Sequence, residues 1–186
     1  FTALTSLNCY YNQLTSLDLS NNTALTNLYC SSNQLTTLDV SANTALIQLY
    51  CNENELTSLD VSNNTALTLL ACNENQLTSL DVSSNTVLTQ LHCDQNQLIY
   101  LNMKNGVTDQ LTEFNATSNS LTCIETLDPT WATENWISGN GNIDEGVVFE
   151  VICVPEGYTY VPDNNFEQAL IDLGYDDVLN DFVLPA

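Results

Sequence analysis

The chain has 186 residues, 44% of them hydrophobic, and carries 23 acidic residues against one basic residue and one histidine, for a formal net charge of −22. Affinity for nucleic acid and for anionic lipid comes from lysine and arginine, so both are excluded as partners, whereas an acidic surface favours cations and cationic partners. No apolar run reaches the length of a membrane-spanning helix, and Phe1-Thr2-Ala3-Leu4-Thr5 lacks the basic start and apolar stretch of a secretion signal, as in a processed or internal segment.

From Leu4 the sequence repeats itself: LTSLNCYYNQLTSLDLSNNTA, LTNLYCSSNQLTTLDVSANTA and LIQLYCNENELTSLDVSNNTA, then LTLLACNENQLTSLDVSSNTV from Leu67 and LTQLHCDQNQLIYLNMKNGVT from Leu88. After the two-residue insertion Asp109-Gln110, a degenerate copy begins at Leu111. One such unit cannot bury its own leucines. Stacked units cover one another and form a quasi-one-dimensional core. Within L-x-x-L-x-C-x-x-N-x-L, alternation predicts a short strand with Leu7 and Cys9 inward and Ser6, Asn8 and Tyr10 outward. Equivalent strands then pair in parallel about 4.8 Å apart. The L-T-S-L-D-V-S half predicts a short extended segment on the opposite wall, with little room for a helix.

Three polar or sulfur columns run through the repeats. Asn12, Asn33, Asn54, Asn75, Asn96 and Asn119 sit where the chain leaves the strand, and a buried amide there is expected to bond the freed backbone groups and its stacked neighbours. Asp18, Asp39, Asp60 and Asp81, followed by Asn102, have two readings: weak candidates for calcium, which takes oxygen ligands, or local Asx-type turns. Cys9, Cys30, Cys51, Cys72 and Cys93, with Ala116 next, replace a leucine at an inward position. They are expected to form a buried ladder of free thiols rather than a metal site, because a single file offers no converging ligands.

Past the repeats, Cys123 and Cys153 bracket a stretch holding Trp131, Trp136, Ile143 and Phe149. A solenoid end exposes a raw apolar coil and needs a cap; a Cys123–Cys153 disulfide closing it implies an oxidising, extracellular setting. After Pro155-Glu156-Gly157, residues 162–174 predict a helix with Asp163 as N-cap, Gly174 as stop, and an apolar stripe of Phe166, Ala169, Leu170 and Leu173.

The repeat over residues 4–108 resembles the 21-residue cysteine-ladder leucine-rich repeats of bacterial surface proteins, both internalin-type adhesins and secreted proteins of Bacteroidetes-type bacteria. The stretch from Cys123 through Trp136 and Phe149 to Cys153 is similar to the disulfide-closed cap of the latter group, and Val161 to Leu170 looks like the helical N-terminal cap that precedes such repeats. The resemblance implies a leucine-rich-repeat solenoid over 1–126 (about six coils), a C-terminal cap over 127–157, and a helical segment over 158–186 that opens a following module near Tyr158. The expected protein is therefore a larger, multi-module chain, secreted or at the bacterial cell surface, in which the first coil is covered.

Such repeats usually meet ligands on the concave sheet, whose outward residues here include Tyr10, Tyr29, Tyr50, Asn52, Asn73, His92 and Asp94. Aromatics flanked by amides suit protein hot spots or sugar stacking, although strand propensity alone also favours tyrosine. His92 is the sole histidine, it lies on the other side of the strand from Cys93, and no nucleophile motif is present. The expected function is a non-catalytic binding or adhesion module for protein ligands, without cofactors. A glycan-binding module of a secreted carbohydrate-active protein and a structural spacer are the alternatives.

Overall fold

The computed structural model describes residues 3–154, 158–175 and 178–183. They form two compact units, Phe1–Val151 and Ile152–Ala186; the break read at Pro155-Glu156-Gly157 lies outside the described residues.

The first unit is a stack of coils with strands on two walls. Three-residue strands Ser6–Asn8, Asn27–Tyr29, Gln48–Tyr50, Leu69–Ala71, Gln90–His92 and Glu113–Asn115 pair in that order as a parallel six-stranded main sheet. Register follows the repeat: Leu28 sits opposite Leu49, and Leu49 opposite Leu70. The Asp109-Gln110 insertion is absorbed in the short 3-10 turn Thr108–Gln110, so the next strand keeps register, with Leu91 opposite Phe114. Opposite lies a second parallel sheet, in the order Val148–Glu150, Cys123–Glu125, Tyr100–Asn102, Ser79–Asp81. The extended back wall thus becomes regular strand only in the later coils, and the cap supplies its last strand.

Each inner coil contributes the same fully or nearly fully buried set; in the third it is Leu46, Leu49, Cys51, Leu56, Leu59 and Val61. Burying each such side chain is worth roughly 1.5–3 kcal/mol, and no coil achieves it without its neighbours. Tyr11, Ser32, Glu53, Glu74, Gln95 and Ser118 all adopt left-handed backbone, with φ between 52° and 57°. Each lies immediately before an Asn of the first column and reverses the chain there.

That Asn column holds the turns. Asn54 accepts from Leu35 N in the preceding coil (3.0 Å), and its Nδ2 donates to Cys30 O, Cys51 O and Asn52 O at 3.1–3.3 Å. The amides bond backbone only; the expected side-chain bonds between stacked copies are absent from the column because backbone carbonyls take every donor. A second ladder, Asn43, Asn64 and Asn85, is wholly buried on the far side, each Nδ2 donating to two carbonyls of the preceding coil.

The cap closes the last coil. Helix α1, Pro129–Asn135, starts at Asp128, whose carboxylate accepts from Trp131 N, and Pro occupies its first turn. Trp136, 4% exposed, packs on Phe114 (ring centroids 4.4 Å), Trp131 (5.5 Å) and Phe149 (5.8 Å). Beyond the last main-sheet strand, Ala116 N donates to Asn142 O, Asn142 Nδ2 donates to Phe114 O, and the Asp144 carboxylate accepts from Ser118 N and Asn119 N. The open sheet edge is thereby satisfied. Cys123 and Cys153 are disulfide-bonded while the other five cysteines are free, which pairs the two with each other.

In the second unit, Thr159–Tyr160 pairs antiparallel with Phe182–Val183, and helix α2 runs Asn164–Asp172. Asp163 accepts from Asn165 N and Phe166 N, and Gly174, at φ +79°, ends the helix, with Gly174 N bonding Ile171 O and Tyr175 N bonding Leu170 O. The expected apolar stripe is corrected: Phe166 and Leu173 are 57% and 70% exposed, and the buried residue of the helix is Glu167. Its carboxylate accepts from Asn180 N (2.9 Å), which ties α2 to the segment just before Phe182–Val183.

Candidate functional site

The outer face of the main sheet is built by alternation. Each strand turns its middle residue inward and the two on either side outward. Across the sheet this aligns one row of Asn8, Tyr29, Tyr50, Ala71, His92 and Asn115, and a second of Ser6, Asn27, Gln48, Leu69, Gln90 and Glu113. A third row follows just past the strand ends and holds Asn52, Asn73 and Asp94.

Tyr29 and Tyr50 stack with ring centroids 5.2 Å apart and planes at 21°. Gln48 Oε1 accepts from both Asn27 Nδ2 (2.7 Å) and the Tyr29 hydroxyl (3.0 Å), and Ser31 Oγ donates to Asn52 Oδ1 (2.6 Å). The aromatic pair is therefore fixed before any ligand arrives. Burial, the neighbouring Tyr29 and the charge of Glu113 together raise the Tyr50 hydroxyl above its ordinary pKa. On the other flank, His92 Nε2 lies 3.2 Å from Glu113 Oε2, and Gln90 Nε2 donates to Glu113 Oε1. Asp94 is only 9% exposed, and its side-chain hydrogen bond is to Gln95 Nε2 at 3.4 Å.

Between these flanks lie Leu69 and Ala71, outward-facing residues that are nonetheless 7% and 5% exposed beneath their taller neighbours. An apolar floor between Tyr50 and His92 escaped the sequence reading, although both residues stand in the repeat where other coils carry Asn, Gln or Tyr. Tyr29, Tyr50, Asn52, Asn73, His92 and Asp94 thus share one face over consecutive coils. Tyr10 belongs to the first coil, where it packs edge-on against Tyr11 (5.3 Å, 73°) and is 51% exposed.

The remaining columns lie elsewhere. Cys30, Cys51, Cys72 and Cys93 are wholly buried, and Cys9 half-buried. Burial pushes their thiols up; Cys30 reaches about 12 by burial and by the neighbouring Cys9, and Cys72 about 12 by burial and Asp94. A thiol held protonated is a poor nucleophile and a poor metal ligand. Asp18, Asp39, Asp60 and Asp81 each accept from the backbone N–H two residues on, at Ser20, Ser41, Ser62 and Ser83. Serine hydroxyls, then the same backbone bonds, hold Asp18, Asp39 and Asp60 below the usual carboxylate range. Among the described residues no three His, Cys, Asp or Glu side chains are grouped to hold a metal ion. Lys104 lies 2.6 Å from Glu125, which also accepts from the Tyr100 hydroxyl on the back sheet.

A parallel sheet built from a 21-residue unit, closed by a disulfide-bearing cap and presenting one wall to solvent, defines a leucine-rich-repeat solenoid. Its neighbours among solved structures are internalins and other leucine-rich-repeat proteins. The functional domain of InlJ from Listeria monocytogenes, described as including a cysteine ladder, is 36% identical, with a TM-score of 0.51, over 67% of this chain and 35% of that one. The internalin InlF of Listeria monocytogenes is 28% identical, TM-score 0.59, over 64% of this chain and 36% of that chain. A leucine-rich-repeat protein of Leptospira interrogans is 25% identical, TM-score 0.59, over 66% and 33%. The chain spans about a third of the length of each. Residues 49–72 match the LVIVD repeat family. No curated protein matches the chain in sequence.

Proposed function

We propose that this chain is a non-catalytic binding module of a bacterial protein exposed outside the cell, and that it meets a protein ligand on the outer face of the main sheet. The observation that carries the reading is the fixed Tyr29–Tyr50 stack beside the apolar floor of Leu69 and Ala71. Rigid aromatics next to small, desolvated residues are what protein hot spots are made of, and the hydrogen bond from the Tyr29 hydroxyl to Gln48 lowers the ordering cost of binding. Tyr10, Asn52, Asn73, His92 and Asp94 extend the contact surface. The internalin-like neighbours and the disulfide support a location outside the cytosol, and no described helix is long and apolar enough to cross a membrane. Thiols held protonated in the core, and a lone histidine paired with Glu113, supply no activated nucleophile.

Protein and glycan arrays probed with the parent chain and with a Tyr29→Ala/Tyr50→Ala variant test this. Protein ligands retained by the parent and lost by the variant, at unchanged melting temperature, are the expected result. Retention of the same ligands by the variant removes the face as the site; glycans as the sole ligands replace the protein reading with a carbohydrate-binding one.

A further inference from the structure

Two asparagines in the chain are followed directly by glycine, Asn105-Gly106 and Asn140-Gly141. Such a pair can react with itself, because glycine has no Cβ to keep the asparagine side chain away from its nitrogen. The structure treats the two pairs differently. Asn140 is exposed, but Gly141 N donates to Ser138 O (3.0 Å), so its nucleophile is tied down. Gly106 stands where the preceding coils carry Asn43, Asn64 and Asn85, and its N–H donates to no group among the described residues. It is exposed, at φ +76°, with nothing within 4 Å of the place a Cβ would occupy. A groove of about 200 Å³, lined by Gly106, Thr108, Asp109, Leu127 and Asp128, brings solvent to it.

The asparagine is prepared as well. Asn105 Oδ1 accepts from Val107 N (3.2 Å), an Asx-type turn that folds the side chain back over Gly106 and draws electron density from Cγ. Its Nδ2 is buried and holds no hydrogen bond, so no partner retains it. We propose that Asn105 is a site of self-modification that ages to aspartate and isoaspartate in the folded protein. Solvent hydroxide removes the proton from Gly106 N. The nitrogen lone pair attacks Asn105 Cγ, the Cγ–Nδ2 bond breaks, and ammonia leaves with a proton from water, closing a succinimide ring. Water then opens the ring at either carbonyl, giving aspartate or a backbone rerouted through the side chain. The second product lengthens the main chain at a turn whose next two residues, Val107 and Thr108, are buried, with Thr108 bonded to Thr126 (2.8 Å) just ahead of α1. Modification therefore loosens the join between the last full coil and the cap.

The test holds the whole folded chain at mildly alkaline pH for weeks and maps it by peptide mass spectrometry beside a sample kept in urea. A gain of about 1 Da at Asn105 is the expected result, with heavy oxygen incorporated there from labelled water. Its rate in the folded chain should exceed that of Asn140 about tenfold, the factor that one net hydrogen bond supplies. In urea, where the bond to Ser138 is lost, the two rates should converge. Gly106→Ala restores hindrance at the nitrogen and should slow Asn105 while leaving Asn140 alone. Asn105→Gln, which would need a larger ring, should abolish the gain at that position without altering the glycine, and so covers the case in which alanine at φ +76° does not fold. Isoaspartate-bearing protein, separated by anion exchange, should unfold at a lower urea concentration than unmodified protein. Asn140 reacting as fast as Asn105 in the folded chain, or Asn105 staying unchanged while the urea sample converts, overturns the proposal. An aged fraction as stable as the parent overturns the loosening of the join.

Discussion

Asn54→Ala removes one side chain and four hydrogen bonds at a site 9% exposed. The three bonds from Nδ2 to carbonyls contribute about 1 kcal/mol each, and the Leu35 N–H, left without its acceptor inside the stack, carries a desolvation cost of roughly 1–3 kcal/mol. The expected loss is about 4–6 kcal/mol. Asn12 is the internal control: it holds the same repeat position in the first coil, is exposed, and donates only to Cys9 O and Tyr10 O. Water substitutes for those bonds, so Asn12→Ala should cost about 1 kcal/mol or less. Asn54→Asp separates the two halves of the amide, since it keeps the acceptor for Leu35 N but aims a carboxylate at three carbonyls; it should be at least as damaging as Ala. Urea unfolding followed by far-ultraviolet circular dichroism gives the ranking directly. If Asn54→Ala falls within about 1 kcal/mol of Asn12→Ala, or if Asp is tolerated at 54, then the amide column does not hold the coils together and the leucine core alone does.

Lys104→Met should cost about 3 kcal/mol by removing the cation that pairs with the Glu125 carboxylate, whose side chain is 6% exposed and keeps the Tyr100 hydroxyl as a donor, and adding Glu125→Gln should recover part of that loss; a double variant no more stable than the single one in the same urea assay contradicts this. Alkaline pH should destabilise the fold through the ladder. Burial raises the Cys30 and Cys72 thiols from 9.0 to about 12, so above pH 9 the unfolded chain binds fewer protons than the folded one. Stability is then flat below pH 9 and falls as pH rises toward 12. Melting temperatures taken from pH 7 to 11 should show the decline beginning below pH 10, ahead of Tyr100, whose hydroxyl burial and Glu125 raise from 10.0 to about 12; no decline before pH 10.5 argues against buried protonated thiols. Reducing the Cys123–Cys153 disulfide opens a loop of roughly 30 residues and should cost about 3–4 kcal/mol, read as a shift of the urea midpoint that Cys123→Ser/Cys153→Ser reproduces without reductant.

Why the fold was legible and the site only in part follows from what a period can encode. A 21-residue phase fixes which residues share a column, and stacking turns columns into contacts, so the parallel register, the inward thiols and the Asn turns all follow from residues such as Leu28, Cys51 and Asn54. The second ladder of Asn43, Asn64 and Asn85 was present in the same repeats, in the N of S-x-N-T, and was overlooked because no strand marks the place. The left-handed residues before each turn escaped for the opposite reason: Tyr11, Ser32 and Glu53 share no chemistry, and the conformation is imposed by the coil. In the tail, the 3.6-residue spacing located α2 and both of its caps but misassigned its packed face. Periodicity counts apolar residues and cannot weigh the hydrogen bond from Asn180 N to Glu167.

The same distinction explains the outer face. Core positions are held to leucine, valine or cysteine by the neighbouring coils, so any departure there costs stability. Outward positions carry no such constraint, and an outward residue is free to serve something other than the stack. Leu69 and Ala71 replace the amides and tyrosines of the adjacent coils, give up solvent-facing polarity, and bring no gain to a solenoid already sealed beneath them by Leu70 and Cys72. An apolar pair on an outward wall is tolerated here because its taller neighbours cover it, leaving Leu69 7% and Ala71 5% exposed. Under the proposed function, what a ligand would meet at the fourth coil is therefore the flanking Tyr50 and His92 rather than Leu69 and Ala71 themselves.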